Sequence, residues 1–535
     1  MKSFRGFGIF KMVLSVIAVF TLLTGSGEAA QNDKVSPAKQ DVKESIRRGG
    51  VLKIISVGGA ISPGEPAEIS SPHDSTFASP AIESLLALDN KGNPIPCLAT
   101  GWTISKDAKT IVMTLRKGVK FHDGTDFNAQ AAKHDLDMFR ASPKRVTLKS
   151  ISSVDIIDDY TIRLNLSQFE SHILASLATA PGMMISPTAF KTHNKEWIMR
   201  NPVGTGPFKL VKHERDVSLV YERFQGYWQK GKPHLDGIEF KFVDDAYSAL
   251  MAFKAGEGDL IMRIDAKDAN TLQATGKYTI DKVPVSINGL VSDGSKAGSP
   301  FSDIRVRRAV EHAINKESIV KTLFYGISKS VNQSASPDNQ NYNPAIKGYP
   351  YDPKKAKELL VSAGYPQGFK SKIIYRTTDT GYVFVAVQDY LKSVGIDVQL
   401  EVVSPTQYSK IINTGWDNAL VYFYLPCGNG MDPASSLNTF FTTKSLLLKS
   451  AFRSNKFDAI VLKASAEPDP KKRTVLYKEL GRMLTDEYAM AIPIYVNYSI
   501  AARTPQVHDT RLFNIWPTRW TPEDAWLSSS GPQKK

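Results

Sequence analysis

The sequence predicts an α/β protein of about three structural units. At 535 residues the chain is too long for a single hydrophobic core, because domains hold about 100–200 residues each. Over 207–262, and again over 352–425, short apolar runs alternate with helical periodicity, the pattern of a mixed or parallel sheet with helices on its faces. The stretch 73–200 reads differently, as a compact strand-rich block. With 42% hydrophobic and 22% charged residues, 25 Phe, 20 Tyr and 7 Trp, the composition is globular rather than disordered.

Val51–Val57 is the first expected strand, followed by a loop punctuated by Gly58, Gly59, Pro63, Gly64 and Pro66. A helical pattern is expected over Ser79–Leu88. Thr110–Leu115 and Val119–Phe121 read as strands joined by the Lys117-Gly118 turn, and His122-Asp123-Gly124 turns the chain again. Asn128 is placed to cap a helix whose Ala132, Leu136 and Phe139 share one face. Val154–Ile157 and Thr161–Leu166 make a hairpin. Pro207–Lys212, Val217–Glu222 and Ile238–Val243 are strands; Asp244 then caps a helix ended by Gly256, and Leu260–Met262 is a short strand.

The Gly/Ser/Pro/Asp-rich segment Ser292–Ser302, between a strand (Val283–Leu290) and a helix (Arg305–Tyr325), is the expected crossing between lobes. Beyond it, Asp352 and Pro353 open a helix with Ala356, Leu359, Leu360 and Ala363 on its apolar stripe and Gly364 at its end. Ile373–Arg376, Val398–Val403, Asn418–Leu425 and Ala491–Tyr498 are the remaining strands. Helices over Val383–Val394 and through Leu476, Leu480 and Met483 lie between them.

The first residues carry an export pattern: Lys2, Arg5 and Lys11, then the apolar run Met12–Leu23, then the small-x-small site Gly27-Glu28-Ala29. A run of this length falls short of the roughly 20 residues a spanning helix needs, so residues 1–29 are expected to be removed as a Sec signal peptide. Residues 30–48 are a polar, flexible lead-in, and 528–535 a flexible tail. The formal charge of +14 becomes +12 after cleavage, with 64 basic against 52 acidic residues. Lys and Arg are interleaved with Asp and Glu and no run of five or six like charges occurs, which argues against a nucleic-acid partner. Cys97 and Cys427 cannot be paired from sequence.

No nucleophile elbow, phosphate loop, paired-histidine metal motif or CxxC is present, and the nine histidines show no i, i+3 or i, i+4 pair. Neither a metal nor another cofactor is expected, and no enzyme activity is indicated. A secreted hydrolase or a chaperone-like protein remains the reading from another class.

The stretch from Leu98 to Thr125, LATGWTISKDAKTIVMTLRKGVKFHDGT, resembles the signature of the family 5 extracellular solute-binding proteins of ABC importers, the dipeptide-, oligopeptide- and nickel-binding proteins. Further pieces follow in the family's order: Gly204-Thr205-Gly206-Pro207-Phe208, Tyr227-Trp228, Asp303 to Ala309, Tyr351-Asp352-Pro353 and Asp432-Pro433. The resemblance spans about 50–525. It implies a periplasmic binding protein type II-like fold of two hinged lobes with an extra domain inserted in the first. On this chain that places lobe I at 49–72, 201–290 and 496–527, the inserted domain at 73–200 and lobe III at 291–495. It further implies a periplasmic monomer that closes like a Venus flytrap on a peptide or peptide-like small molecule. The cargo then passes to ABC permease transmembrane subunits as the protein docks at the inner membrane. A nickel chelate, an opine-like compound or an oligosaccharide are the alternative cargoes.

The resemblance also suggests the ligand residues. Asn429, with Gly428 before it, stands where similar peptide binders carry an aspartate that pairs with the α-amino group; an Asn has no charge to offer there. Arg376 ends a strand near where such proteins place a guanidinium against the ligand carboxylate. Tyr375, Tyr382 and Tyr424 are candidate pocket walls. His73 falls in a Pro-His stretch that resembles the family's near the cleft.

Overall fold

The computed structural model describes residues 46–60, 62–69, 72–143, 147–428, 431–512 and 520–528. The signal peptide, nearly all of the lead-in and all but the first residue of the tail therefore lie outside the described residues. Among those described, one mixed sheet of 11 strands organises the chain. Val51–Val57 pairs in parallel with Gly237–Val243 on one side and with Leu260–Met262 on the other. At the far end, Phe369–Arg376 pairs in parallel with Ile396–Val403 and with Leu420–Pro426.

Two long antiparallel strands, Thr279–Ser292 and Ile492–Arg503, join these halves. Leu260–Met262 pairs with the C-terminal part of the second, whereas Leu420–Pro426 pairs with the C-terminal part of the first. From Val283 onward the strand Thr279–Ser292 is buried on both faces, with Val285 half-buried. The register slips between Pro284 and Ser286, where proline has no N–H for the ladder, and again between Asn288 and Gly289. A Cβ at Gly289 would meet Ile492 O at 2.1 Å, so the second slip needs glycine.

The crossing is therefore this strand pair, and not Ser292–Ser302. That segment belongs to the second half: buried Asp293 accepts from Ser299 Oγ at 2.9 Å and from Asn418 N at 2.6 Å, and Ser295 N donates to Ser450 O at 3.0 Å. Its Gly/Ser/Pro content marks a tight loop, which composition alone cannot tell from a linker.

A separate four-stranded sheet, Ala99–Ile104, Thr110–Leu115, Thr161–Leu166 and Ile151–Asp158, carries its own core around Ile111, Met113, Phe121, Phe127 and Leu164. The helix Ala129–Ala141 packs on it, capped by Asn128, whose side chain accepts from Ala131 N. At the other end of the chain, Trp520 returns to the first half, where it is buried beside Phe240 and donates to Thr76 O at 3.1 Å.

Four local expectations shift. The helix expected over Ser79–Leu88 is Pro72–Ala78, because Pro80 cannot continue a helix, and Leu86–Leu88 is a strand. Asp245, not Asp244, caps the helix Ala246–Lys254. The helix expected over Arg305–Tyr325 is two, Ile304–Ala313 and Lys316–Leu323, because Asn315 caps the second by accepting from Ser318 N. Around Val119–Phe121 a single bridge, Lys120 to Asp126, stands where a strand was expected.

Two of the family-like motifs meet at a residue the sequence did not single out. Fully buried Glu83 accepts from Thr205 Oγ1 (2.9 Å), Tyr227 OH (2.8 Å) and Trp228 Nε1 (2.9 Å). The adjoining Gly206 lies against the backbone of Pro80 and Ala81, where a Cβ would come within 2.6 Å. The Gly-Thr-Gly-Pro segment is thus a packing joint, and its glycines answer a steric demand.

Candidate functional site

The direction of the strands locates the cleft. Leu260–Met262 and Thr279–Ser292 run the same way, since both oppose Ile492–Arg503. Phe369–Arg376 runs the other way, being parallel to Leu420–Pro426, which opposes Thr279–Ser292. The register sets Met262 level with Asp281, and Ile374 level with Val291 ten residues further along the crossing strand. The two halves therefore aim the C-terminal ends of their strands at each other across the bulged region. Ligands of open α/β sheets sit outside such ends.

Arg376 is the residue at that end of the second half. Its Nε donates to both oxygens of Asp379 (3.0 and 3.1 Å) and its Nη2 to Asp379 Oδ1 at 2.6 Å, while Asp379 Oδ2 also accepts the Arg376 N–H at 2.7 Å. Tyrosine rings surround the guanidinium, with centroids at 5.4 Å for Tyr408, 5.5 Å for Tyr422 and 5.6 Å for Tyr424. Burial disfavours its charge, but the bonds to Asp379 prevail and hold its pKa above the ordinary arginine value. Nη1 makes no hydrogen bond with a described residue. The arrangement is a fixed cation with one edge left for an anionic or carbonyl oxygen.

The crossing strand contributes to the same site. Buried Asn288 accepts from Ser286 Oγ at 2.7 Å and donates to Tyr422 OH (2.8 Å) and Tyr495 OH (3.1 Å). One side chain thus ties both crossing strands to the strand carrying Tyr422, Phe423 and Tyr424. Burial pushes the Tyr422 phenol well above its usual pKa, so it stays neutral.

The sequence-derived candidates divide. Arg376 and Tyr424 come together, and Tyr424 is 43% exposed. Tyr382 is also exposed, its ring 6.1 Å from Phe324. Burial, reinforced by Asp265 of the first half and by Tyr325, raises its pKa. Tyr375 does not wall the cleft: it is buried in the core, its ring 4.4 Å from Phe384 and against Gly381, because alternate strand positions point to opposite faces. Gly428 is a buried bend whose carbonyl accepts from Met431 N at 3.0 Å. Asn429 and the side chain of His73 lie outside the described residues.

Sequence reasoning singled out no residue at the facing strand end of the first half. Arg263 follows the strand Leu260–Met262 with a left-handed φ of 61°. Burial lowers its pKa and nearby Asp74, in the helix Pro72–Ala78, opposes that shift. An apolar strand ending in a charged residue was the available signal.

Comparison with known proteins bears on the same fold. A family model described as bacterial extracellular solute-binding proteins, family 5, middle, matches residues 93–446. The chain belongs to this family. The glutathione-binding protein GsiB of Shigella flexneri is 31% identical over 492 residues, which are 89% of this chain and 94% of that protein. DppA from Helicobacter pylori, solved in complex with the peptide STSA, is 26% identical with a TM-score of 0.73, over 90% of this chain and 99% of that one. NikA from Brucella suis, in complex with Fe(III)-EDTA, shares the fold at 24% identity and a TM-score of 0.77, over 89% and 100% of the two chains. The protein is accordingly a solute-binding component of an ABC transporter. No helix among the described residues is long and apolar enough to cross a membrane.

Proposed function

We propose that the protein captures a peptide or peptide-like solute in the periplasm and hands it to ABC permease subunits at the inner membrane, after Sec-dependent export and removal of residues 1–29. The observation that carries the reading is the guanidinium of Arg376, held by Asp379 among tyrosines at the strand ends, with Nη1 unengaged among the described residues and available to a ligand carboxylate. GsiB, named as a glutathione-binding protein, and DppA, solved with a peptide, support a peptide-like cargo. Tyr382 and Tyr424 supply apolar walls, and Gly428, Asn429 and His73 complete the site on the resemblance stated above. Closure is a hinge motion at the slips of the crossing strands, driven by the ligand's greater affinity for the closed state. The domain division read from the sequence is retained, with the crossing moved into Thr279–Ser292 and its partner strand.

Native mass spectrometry of protein purified from periplasm identifies the cargo directly. An amide-linked compound bearing a carboxylate is expected, and its binding should fall at least tenfold in Arg376→Ala. A bound species lacking any carboxylate, or an unaltered affinity in Arg376→Ala, overturns the reading.

A further inference from the structure

Away from Arg376, the inserted domain meets the second half along a polar seam. Ser171 N donates to Ser465 O at 2.8 Å. Tyr477 OH donates to Asp432 Oδ2 at 2.7 Å and lies 3.4 Å from Ser171 Oγ, and both Ser171 and Tyr477 are buried where they meet. Beside these bonds the two surfaces part around a cavity of about 420 Å³, with Trp102 and Leu174 on one wall and Arg473 on the other.

No apolar core spans this seam. Among the described residues, the buried cluster around Ile111 and Leu164 ends at Met184, and the cluster around Phe423 and Leu480 starts at Ile287. The inserted domain is instead fused to the first half: Met183 and Ile185 share a core with Phe77 and Phe240, and Glu83 is bonded to Thr205, Tyr227 and Trp228. A rotation at the slips of the crossing strands therefore carries the inserted domain with the first half and acts on the seam. Polar contacts without a common core are the kind that part and re-form as domains move.

The seam is also wired to the cleft. Asp432 caps the helix Pro433–Phe441 by accepting from Ser435 N at 2.8 Å, and it stands just past the bend where Gly428 O accepts from Met431 N. The carboxylate that Tyr477 holds thus belongs to the loop that carries Gly428.

We propose that Ser171, Ser465 and Tyr477 form a latch that engages when the halves close, ties the inserted domain to the second half and lengthens the life of the closed state. The latch rests on the hinge motion proposed above. Ser171 and Ser465 act from outside the Arg376 cleft, and Tyr477 carries the link to Asp432 and the cleft loop.

The test compares the mature wild type with Ser171→Pro and Tyr477→Phe, each purified from periplasm with the compound it carries and also refolded free of it. Ser171 is the second residue of the turn closed by Ile173 N on Glu170 O at 3.0 Å, where proline is accommodated, so Ser171→Pro removes the latch N–H and hydroxyl and spares the turn. Native mass spectrometry during dialysis should show the bound compound leaving each variant roughly threefold faster than the wild type or more, the scale of one net hydrogen bond. The melting temperature of refolded Ser171→Pro should equal that of the refolded wild type, because the latch is undone in the open state. Small-angle scattering of the wild type reports the hinge separately, with a smaller radius of gyration as purified than after refolding. A release rate unchanged in either variant, or a lower melting temperature for refolded Ser171→Pro, which marks a permanent joint, overturns the latch and leaves the hinge standing. Equal radii overturn the hinge reading, and the latch with it. Should Ser171→Pro fail to fold, the release rate of Tyr477→Phe decides.

Discussion

Asp379 grips Arg376 through its backbone and its guanidinium at once, with the backbone N–H bond at 2.7 Å and the Nη2 bond at 2.6 Å, and the carboxylate side chain is only 3% exposed. They stand three positions apart, so the turn after the strand builds its own counter-ion. Preorganisation of this kind lowers the ordering cost that a flexible arginine would incur on binding.

Asp379→Asn should therefore damage stability and binding together. Loss of the charged acceptor costs about 2 kcal/mol of folding stability, the scale of hydrogen bonds to ionised groups. It also releases the guanidinium from its fixed pose. Denaturant melts and calorimetry with the natural cargo check both, and unchanged affinity would show that Arg376 is not held for ligand.

Glu83 gathers three donors in a fully buried site. Replacing its carboxylate by a carboxamide, in Glu83→Gln, sets an NH₂ against some of those donors and should cost about 3 kcal/mol. Tyr227→Phe, which removes a single donor, should cost clearly less. Chemical denaturation of the two variants distinguishes them.

Burial pushes the Asp135 carboxyl up to about 6, against the opposing bonds from His134 and from Ile185 N. The native state thus holds a proton that the unfolded chain has already released, so this group's contribution is most favourable below the ordinary value of 3.8 and is lost as pH rises through about 6. Asp135→Asn keeps an acceptor for Ile185 N and removes the charge. Near neutral pH it should gain about 1–3 kcal/mol, with a flatter stability profile between pH 4 and 6.

His122 acts in the opposite sense. Its Nε2 lies 2.9 Å from Gly206 O, to which the neutral ring donates, and burial lowers its pKa to about 4. Because the folded value lies below the unfolded 6.5, stability is present in full above pH 6.5 and is lost as pH falls through about 4. His122→Gln retains an N–H donor for Gly206 and should reduce this acid sensitivity in pH-resolved melts.

Cys97 and Cys427 are both buried and neither is in a disulfide, and burial raises the Cys427 thiol far above its usual pKa. Neither thiol should react with a disulfide reagent in the native state, whereas both should react after denaturation. Mass analysis of the alkylated native protein checks this.

Much of the architecture is legible in the residues. Val51–Val57, Thr110–Leu115, Thr161–Leu166 and Leu260–Met262 occur with the bounds their apolar patterns indicate. Asn128 and Asp352 cap the helices they precede, because a short polar side chain reaching back to a free N–H is a purely local device. The helix expected over Ser79–Leu88 failed because one proline outweighs a periodic pattern.

What the sequence determined by itself was local: strands, caps, turns and the ordered motifs that mark the family. Only the tertiary structure decided the long-range matters. It placed the crossing in Thr279–Ser292, sent Tyr375 to the core while leaving Tyr382 and Tyr424 exposed, and joined Glu83 to Thr205, Tyr227 and Trp228. The division has a physical reason: propensity and capping act over a few residues, whereas pairing register and burial depend on partners that the fold brings in from elsewhere, as far as Glu83 from Tyr227.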